Sequence, residues 1–578
     1  MPLILYYLLW FVFGPLLVAP AYAWDYLWPR LKDRFIGRLV IWLPFATVVF
    51  LYLFGFKEEI RNAINWCIPV SSIGKFLFSW FFMGTILSTF FLGPVHILLK
   101  DLVLLLLRGS RPNSHGTAVW GTDEEAKNSG SLIEKGHVGG FMLGRTGKRF
   151  DDFDPRYRVY RHVLTCAPTG SGKGVGCVIP NLLEYPGSVF CLDIKGENFA
   201  VTARSRKLLG PVLPIDPFGV TGQPSVSVNW LDWIDVKDPE SVADAASLAE
   251  TLVVKGINKE NNYWDDSAAN LLQGLILHVA TMPEKDRNPC TVRKMLTFPE
   301  KKLRGLMEEL GENEDLAHGI PSRTANMFLA KSDRDRSGVL STAQQHTAFL
   351  DDPRIAQTLK SSELDFRDMK KEVLSTYLVV PPDKIHAYAR YTRATIGLAL
   401  KAMVKSKVKP ESKVLFLLDE MASLGRFSSI EEGISILRGY DVCLWLLIQD
   451  LSQLEAVYPK WRSFLANSAL QFFGTQDQQT AKYISEALGM ETIQVQSTNQ
   501  GSSSGPGGGS SSSGTSIQNH GRALMMPDEV RRLASSKVIV LEQGKSPQIL
   551  TRLDYLRDEE FKGYFDENPM YLPASEAG

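Results

Sequence analysis

The stretch TCAPTGSGKGVGC, residues 165–177, decides how the rest of the chain is read. It lies between HVLTCA (162–167), an apolar run of strand character, and VGCVIPNLLEY (175–185), which reads as a helix. A glycine-rich turn with a lysine between a strand and a helix is the pattern of a phosphate-binding loop. In such a loop successive backbone N–H groups, here from Thr169, Gly170, Ser171, Gly172, Lys173 and Gly174, point inward at phosphate oxygens, and the helix N-terminus adds positive potential. Gly170 and Gly172 give the chain the freedom for that path, and Lys173 brings the charge for the β and γ phosphates of ATP. The usual pattern is broken twice: Ala167 stands where the first glycine belongs, and Gly174 where a serine or threonine hydroxyl would ligate Mg²⁺.

Without that hydroxyl the metal must lean on water and on a carboxylate elsewhere. VLFLLDE (414–420) is an apolar run ending in two acids, as expected of a buried central strand that delivers them to the sheet edge. Asp419 is the expected Mg²⁺ ligand, directly or through water, and Glu420 the group that orients the attacking water. Ligands of open α/β sheets bind at the carboxyl ends of strands, so loop and acidic strand should share one crevice. Two more strand ends would line it: DIKGE with Asp193, Lys195 and Glu197, and LLIQD with Gln449, which could position water or sense the γ phosphate. RYRVYR (156–161) interleaves basic and aromatic residues, but an exposed strand face leading into the loop explains it better than a nucleic-acid site.

Working outward, strand signals recur at SVFCLDIKGE (188–197), VLSTYLVVPP (373–382), VCLWLLIQD (442–450) and KVIVLEQG (537–544). Between about 235 and 350 they give way to amphipathic helices, with Leu271, Leu272, Leu275 and Val279 on one face. The expected soluble part is therefore a discontinuous α/β domain, residues 109–234 and 351–578, interrupted by an all-α insertion at 235–350. The Gly/Ser tract 497–516 is too poor in apolar groups to pack and should form a mobile loop. Its GSSSG (501–505) matches a hydrolase nucleophile pattern by chance, since neither the strand nor the helix that pattern needs is present.

Residues 1–108 read as a membrane anchor, with uncharged spans at 3–24, 39–56 and 76–99. The basic loop 25–38 favours the cytoplasmic side, which leaves everything after residue 100 inside, where ATP is available. Sixty-three basic and 63 acidic residues balance, so no global charge attracts a polyanion. The six cysteines have no paired or metal-ligand spacing, consistent with buried thiols in a reducing compartment.

In this order the motifs resemble the TraG/TraD-type coupling ATPases of bacterial type IV secretion and conjugation. The similar text is HGTAVWGTDEEA, FMLGR, HVLTCAPTGSGKGVGCVIPNLL, GSVFCLDIKGENFAVTAR, NNYWDDSAANLL, STYLVVPP, LFLLDEMASLGRF, LLIQDLSQLEAVYP and LMMPDEVRRL, from about residue 110 to 560. One branch of that family carries APT…GKGVG as its ordinary loop, which implies a specialised site, not a decayed one. The resemblance implies a RecA-like nucleotide-binding domain with ATP and Mg²⁺ as cofactors, a homo-hexamer at the inner membrane, and an all-α domain that takes part in substrate recognition. Its implied partners are membrane lipid, other secretion components, and a relaxase–DNA complex or effector proteins, and it allows contact with single- or double-stranded DNA. It also implies an arginine acting across the subunit boundary, matched by Arg438 in ILRGYDV, with Arg426 as the fallback. Family members usually have two spans, against three here. The competing function is a docking scaffold whose nucleotide site controls assembly, but a pure scaffold has no need of Lys173, Asp419 and Glu420 together.

Overall fold

The computed structural model describes residues 113–147, 151–254, 262–505 and 508–569. All belong to one compact unit, Arg111–Gly578. The three expected membrane spans fall outside the described residues, among which no helix is long and apolar enough to cross a membrane.

Eleven strands form one sheet: β1 Phe141–Arg145, β2 Arg156–Val159, β3 His162–Cys166, β4 Val189–Asp193, β5 Val212–Ile215, β6 Ser375–Val379, β7 Val414–Leu418, β8 Val442–Ile448, β9 Ser468–Phe472, β12 Lys537–Leu541 and β13 Gln548–Thr551. The remaining two, β10 Met490–Gly505 and β11 Gly508–Ala523, make a separate ribbon. The order β9-β3-β8-β7-β4-β6-β5 is parallel throughout. It continues from β9 through β12, β13, β1 and β2 in antiparallel pairs.

The apolar runs of β3, β4, β6, β7 and β8 are buried end to end, as strands covered on both faces must be. Alternation divides them between two cores. Leu164, Phe190, Leu192, Phe416, Leu418, Leu444 and Leu446 face one side, and Val163, Cys191, Leu415, Leu417, Trp445 and Leu447 the other. Between β5 and β6 the described residues carry helices and no strand. The central helix of that region, Tyr263–Ala280, buries Leu271, Leu272, Leu275 and Val279 in the apolar cluster that also covers the first sheet face.

Two local expectations need correction. The face of β2 is not exposed: Arg158 is only 2% accessible and its guanidinium lies 2.9 Å from Glu184 and 3.2 Å from Asp154, while Arg156 binds the same two carboxylates. Glu184 ends the helix that follows the glycine-rich loop, so the arginines are spent tying strand to helix and are not presented to a polyanion. The Gly/Ser tract, for its part, is not without regular structure. It lies within a ribbon that pairs from Met490↔Ala523 to Gly505↔Gly508 without a register shift. Main-chain pairing needs no apolar side chain, and the base of the ribbon is set by folded neighbours: Leu524 N donates to Gly489 O at 3.0 Å, and Thr492 accepts from the amides of His115 and Gly116.

Candidate active site

The carboxyl ends of β3, β8 and β7 lie side by side, and each delivers one part of the site. The loop leaves β3 with Ala167 fully buried and its N–H bonded to Ile448 O of β8 at 2.9 Å. Ala167 keeps a negative φ, so a first glycine is not required there. Gly170 and Gly172 do need to be glycine, with φ of +77° and +81°. A side chain at Gly176 would collide with Arg552 Cγ at 2.6 Å and Leu553 O at 2.8 Å. The following helix opens with a π turn, Gly174–Val178, and continues as α-helix over Ile179–Glu184. Such turns concentrate at functional sites.

Lys173 reaches across to the end of β7. Its ammonium lies 2.7 Å from Asp419 Oδ1 and 2.5 Å from Glu420 Oε1. From the end of β8, Gln449 Nε2 donates to the other oxygen of Glu420 at 3.1 Å. Glu420 itself sits in the left-handed region, φ 52° and ψ 42°, where a side chain costs roughly 1–2 kcal/mol. Such strain is held by surrounding structure and clusters where it serves a site. Burial pulls the Lys173 ammonium toward its neutral form, but the two carboxylates outweigh it and hold the pKa above the ordinary lysine value. Asp419 is raised above the ordinary aspartate value, because burial and the neighbouring Glu420 outweigh Lys173.

The chemistry of these donors fits magnesium. They are carboxylate oxygens, and the buried Oδ1 of Asp419 has its ion pair with Lys173 but no well-directed hydrogen bond. Among the described residues no three acidic, histidine or cysteine groups gather closely enough to hold a cation alone. A cation would therefore be shared with phosphate, as is usual for Mg²⁺.

At the end of β4, Asp193 is 1% accessible and accepts from Phe199 N at 2.8 Å and Lys195 N at 3.3 Å, which caps the helix Glu197–Lys207. Burial, with smaller repulsion from Asp419 and Glu197, pushes its pKa up to about 7. Lys195 is exposed, whereas Glu197 is half-buried and faces Gly174. Arg438 is exposed on the turn before β8, at the opposite end of that strand from Gln449, and so outside the crevice. Arg426 pairs with Glu431 at 3.0 Å. Sequence reasoning missed two residues beside the loop: Arg552, which donates to Ser171 O at 2.6 Å, and Asn568, which donates to Glu197 Oε1 at 2.6 Å. Both lie more than 370 residues from their partners, and no local pattern announces them.

A parallel sheet with a glycine-lysine loop on one strand and acids on another, separated by a polar-tipped strand, defines an α/β protein of the RecA-like nucleotide-binding fold. Comparison with known proteins narrows this further. Residues 119–575 match the family described as type IV secretory system conjugative DNA transfer, and the chain belongs to that family of TraG/VirD4-type coupling proteins. It is 29% identical over 492 residues to the protein VirD4 of Rhizobium radiobacter, covering 82% of this chain and 68% of that one. To the conjugal transfer protein TraG of Escherichia coli it is 26% identical over 542 residues, covering 86% and 84%. Among solved structures, the bacterial conjugative coupling protein TrwBdeltaN70 superposes with a TM-score of 0.58 at 16% identity, covering 79% of this chain and 98% of that one. TrwB also matches in complex with a non-hydrolysable ATP analogue and with ADP and Mg²⁺, at TM-scores of 0.56 and 0.53.

Proposed function

We propose that this chain is the ATP-hydrolysing coupling protein of a type IV secretion or conjugation system, anchored in the bacterial inner membrane by residues 1–108 and working as a homo-hexamer. The observation that carries the reading is the bridge from Lys173 to Asp419 and Glu420, with Gln449 bound to the far oxygen of Glu420. One ammonium shared between two carboxylates is poised to be drawn away by a phosphate, which leaves Glu420 free to act on water.

The loop amides from Thr169 to Gly174 and the Lys173 ammonium would hold the β and γ phosphates of ATP. Glu420, steadied by Gln449, takes a proton from water as its oxygen attacks the γ phosphorus and the bond to the bridging oxygen of ADP breaks. Asp419 would hold Mg²⁺, which when bound supplies charge neutralisation on the phosphates. Arg438 from a neighbouring subunit is the proposed contact to the developing charge, with Arg426 as the alternative. Asp193 and Lys195 shape the neighbouring strand end. The helices within 235–350 are proposed as a distinct all-α domain that receives cargo, and residues 109–234 and 351–578 as the motor. The cargo is a relaxase-bound DNA strand or an effector protein, passed to secretion components at the membrane. Binding of ATP-like nucleotide and Mg²⁺ by TrwB supports the cofactor assignment through shared fold.

The test is phosphate release from ATP by the full-length protein in lipid vesicles, with and without single-stranded DNA. Hydrolysis stimulated by DNA supports a DNA-handling motor, and hydrolysis without stimulation shifts the cargo toward protein. No hydrolysis in either condition would overturn the motor and leave a docking scaffold.

A further inference from the structure

The loop glycines do not all have the same reason to be glycine. Gly170 and Gly172 have backbone angles that demand it, and Gly176 has no room for a side chain. Gly174 has neither constraint. Its φ is not positive, and a Cβ built there meets, apart from its own chain neighbours and helix backbone, one heavy atom within 4 Å: Glu197 Oε1 at 3.8 Å. A serine would fit the backbone and the space, yet glycine stands there and a carboxylate faces the position a hydroxyl would take.

Glu197 is placed there by its surroundings. It is the first residue of the helix Glu197–Lys207, whose start is pinned by Gly196 at φ +70° and by the Asp193 cap on Phe199 N. Asn568, 6% accessible, comes from the far end of the chain to donate to Glu197 Oε1 at 2.6 Å. That fixes one oxygen, and among the described residues the other carboxylate oxygen accepts no hydrogen bond. Acidic groups outnumber the cations: Lys173 bridges Asp419 and Glu420, Arg552 backs the loop at Ser171, and Glu197 adds a third carboxylate at the mouth of the loop. A divalent cation arriving with the phosphates would lower the electrostatic cost of placing them among these carboxylates.

We propose that Glu197 replaces the missing loop hydroxyl, so that Mg²⁺ accompanying the nucleotide is held between Asp419 on one side and Glu197, directly or through a bound water, on the other, with Asn568 as the positioning residue. This rests on the nucleotide-site reading above. It makes the position after Lys173 a swap of donors: a hydroxyl on the loop is exchanged for a carboxylate at the start of the helix after β4, and Gly174 provides the clearance.

The test uses Mn²⁺ as the probe and the full-length protein in lipid. Free Mn²⁺ is measured by electron paramagnetic resonance at saturating ADP, and ADP affinity is measured separately in EDTA. Glu197→Gln should weaken Mn²⁺ binding by about 10-fold or more, as loss of a metal-supporting carboxylate does, while still binding ADP in EDTA. Gly174→Ser introduced into Glu197→Gln should recover much of the lost affinity, which a merely structural role of Glu197 would not permit. Asn568→Ala, which leaves the carboxylate in place but unfixed, should give a smaller loss in the same direction. Wild-type Mn²⁺ affinity in Glu197→Gln would overturn the proposal; should that variant not fold, unchanged affinity in Asn568→Ala would do so. Failure of the wild-type protein to bind ADP even in EDTA would instead overturn the nucleotide-site reading, and this proposal with it.

Discussion

Two stretches of this chain are dominated by glycine, serine and threonine: the loop at 169–176 and the ribbon tract at 497–516. Their compositions are close, and their surroundings are not. The loop is enclosed by β3, by Arg552 behind Gly172 and Gly176, and by the acidic end of β7 in front of Lys173. The tract continues a two-stranded ribbon whose fixed contacts lie at its base. Small residues make a site only where buried neighbours fix the backbone and a charge is delivered to it.

The sharpest way to break this comparison is at the charge. Lys173→Ala leaves the loop backbone intact but removes the one cation between Asp419 and Glu420. Turnover of ATP should fall by about 100-fold or more, in line with removal of a charge-stabilising donor. A steady-state phosphate assay reads this directly, and a loss under about threefold would mean that Lys173 is not part of the chemistry.

Next in size is backbone strain. Gly172→Ala forces a side chain into the left-handed region and against the Arg552 guanidinium. The strain alone is about 1–2 kcal/mol, so in a folded unit of this length the melting temperature should drop by about one to two degrees, and nucleotide affinity with it. If instead stability and affinity hold, Arg552 is not the rigid backing the contact implies.

A third contrast is in pH. The tract between Glu491 and His520 contains no titratable side chain, whereas the site edge contains Asp193 with its pKa pushed up to about 7 by burial. The unfolded chain releases that proton near pH 3.9, so between there and about 7 the folded state holds more protons than the unfolded one. This group's contribution to stability is thus full below the unfolded value and falls as pH rises through the window. Asp193→Asn should flatten the dependence of the unfolding midpoint over that range, and shortening the ribbon should not.

The smallest effect belongs to the ribbon itself. Thr498 pairs with Thr515, so replacing 499–514 by Asn-Gly closes the hairpin with a two-residue turn of compatible twist. Turnover of ATP should stay within about twofold and the melting temperature within about a degree, as for surface changes away from packed features. A large loss of turnover would give the tract a part in the motor.

How much of this was legible follows the same division. The strands that carry the site, β3, β4, β7 and β8, read plainly because burial on both faces demands continuous apolar runs, and their polar tips stand out at the ends. The strands that extend the sheet read poorly. β1 holds Gly144 beside a register shift, β5 contains Pro214, and β9 has Gln471 next to its last residue. That glutamine is fully buried and satisfied by Thr165 and by Leu143 O, partners far away in sequence. The same distance hid Arg552 and Asn568, whose roles exist only once β13 and the segment after it pack beside the loop. Glu184 likewise turned the basic face of β2 inward, which its alternation with aromatics did not foretell.

The central claim is that Glu420 acts on water while Lys173 and the loop hold phosphate. The direct measurement compares ATP binding with single-turnover hydrolysis in Glu420→Gln, using the full-length protein in lipid. The account predicts that ATP still binds and is not cleaved, because the amide keeps its contact with Gln449 but cannot take a proton. Cleavage at the wild-type rate would contradict it.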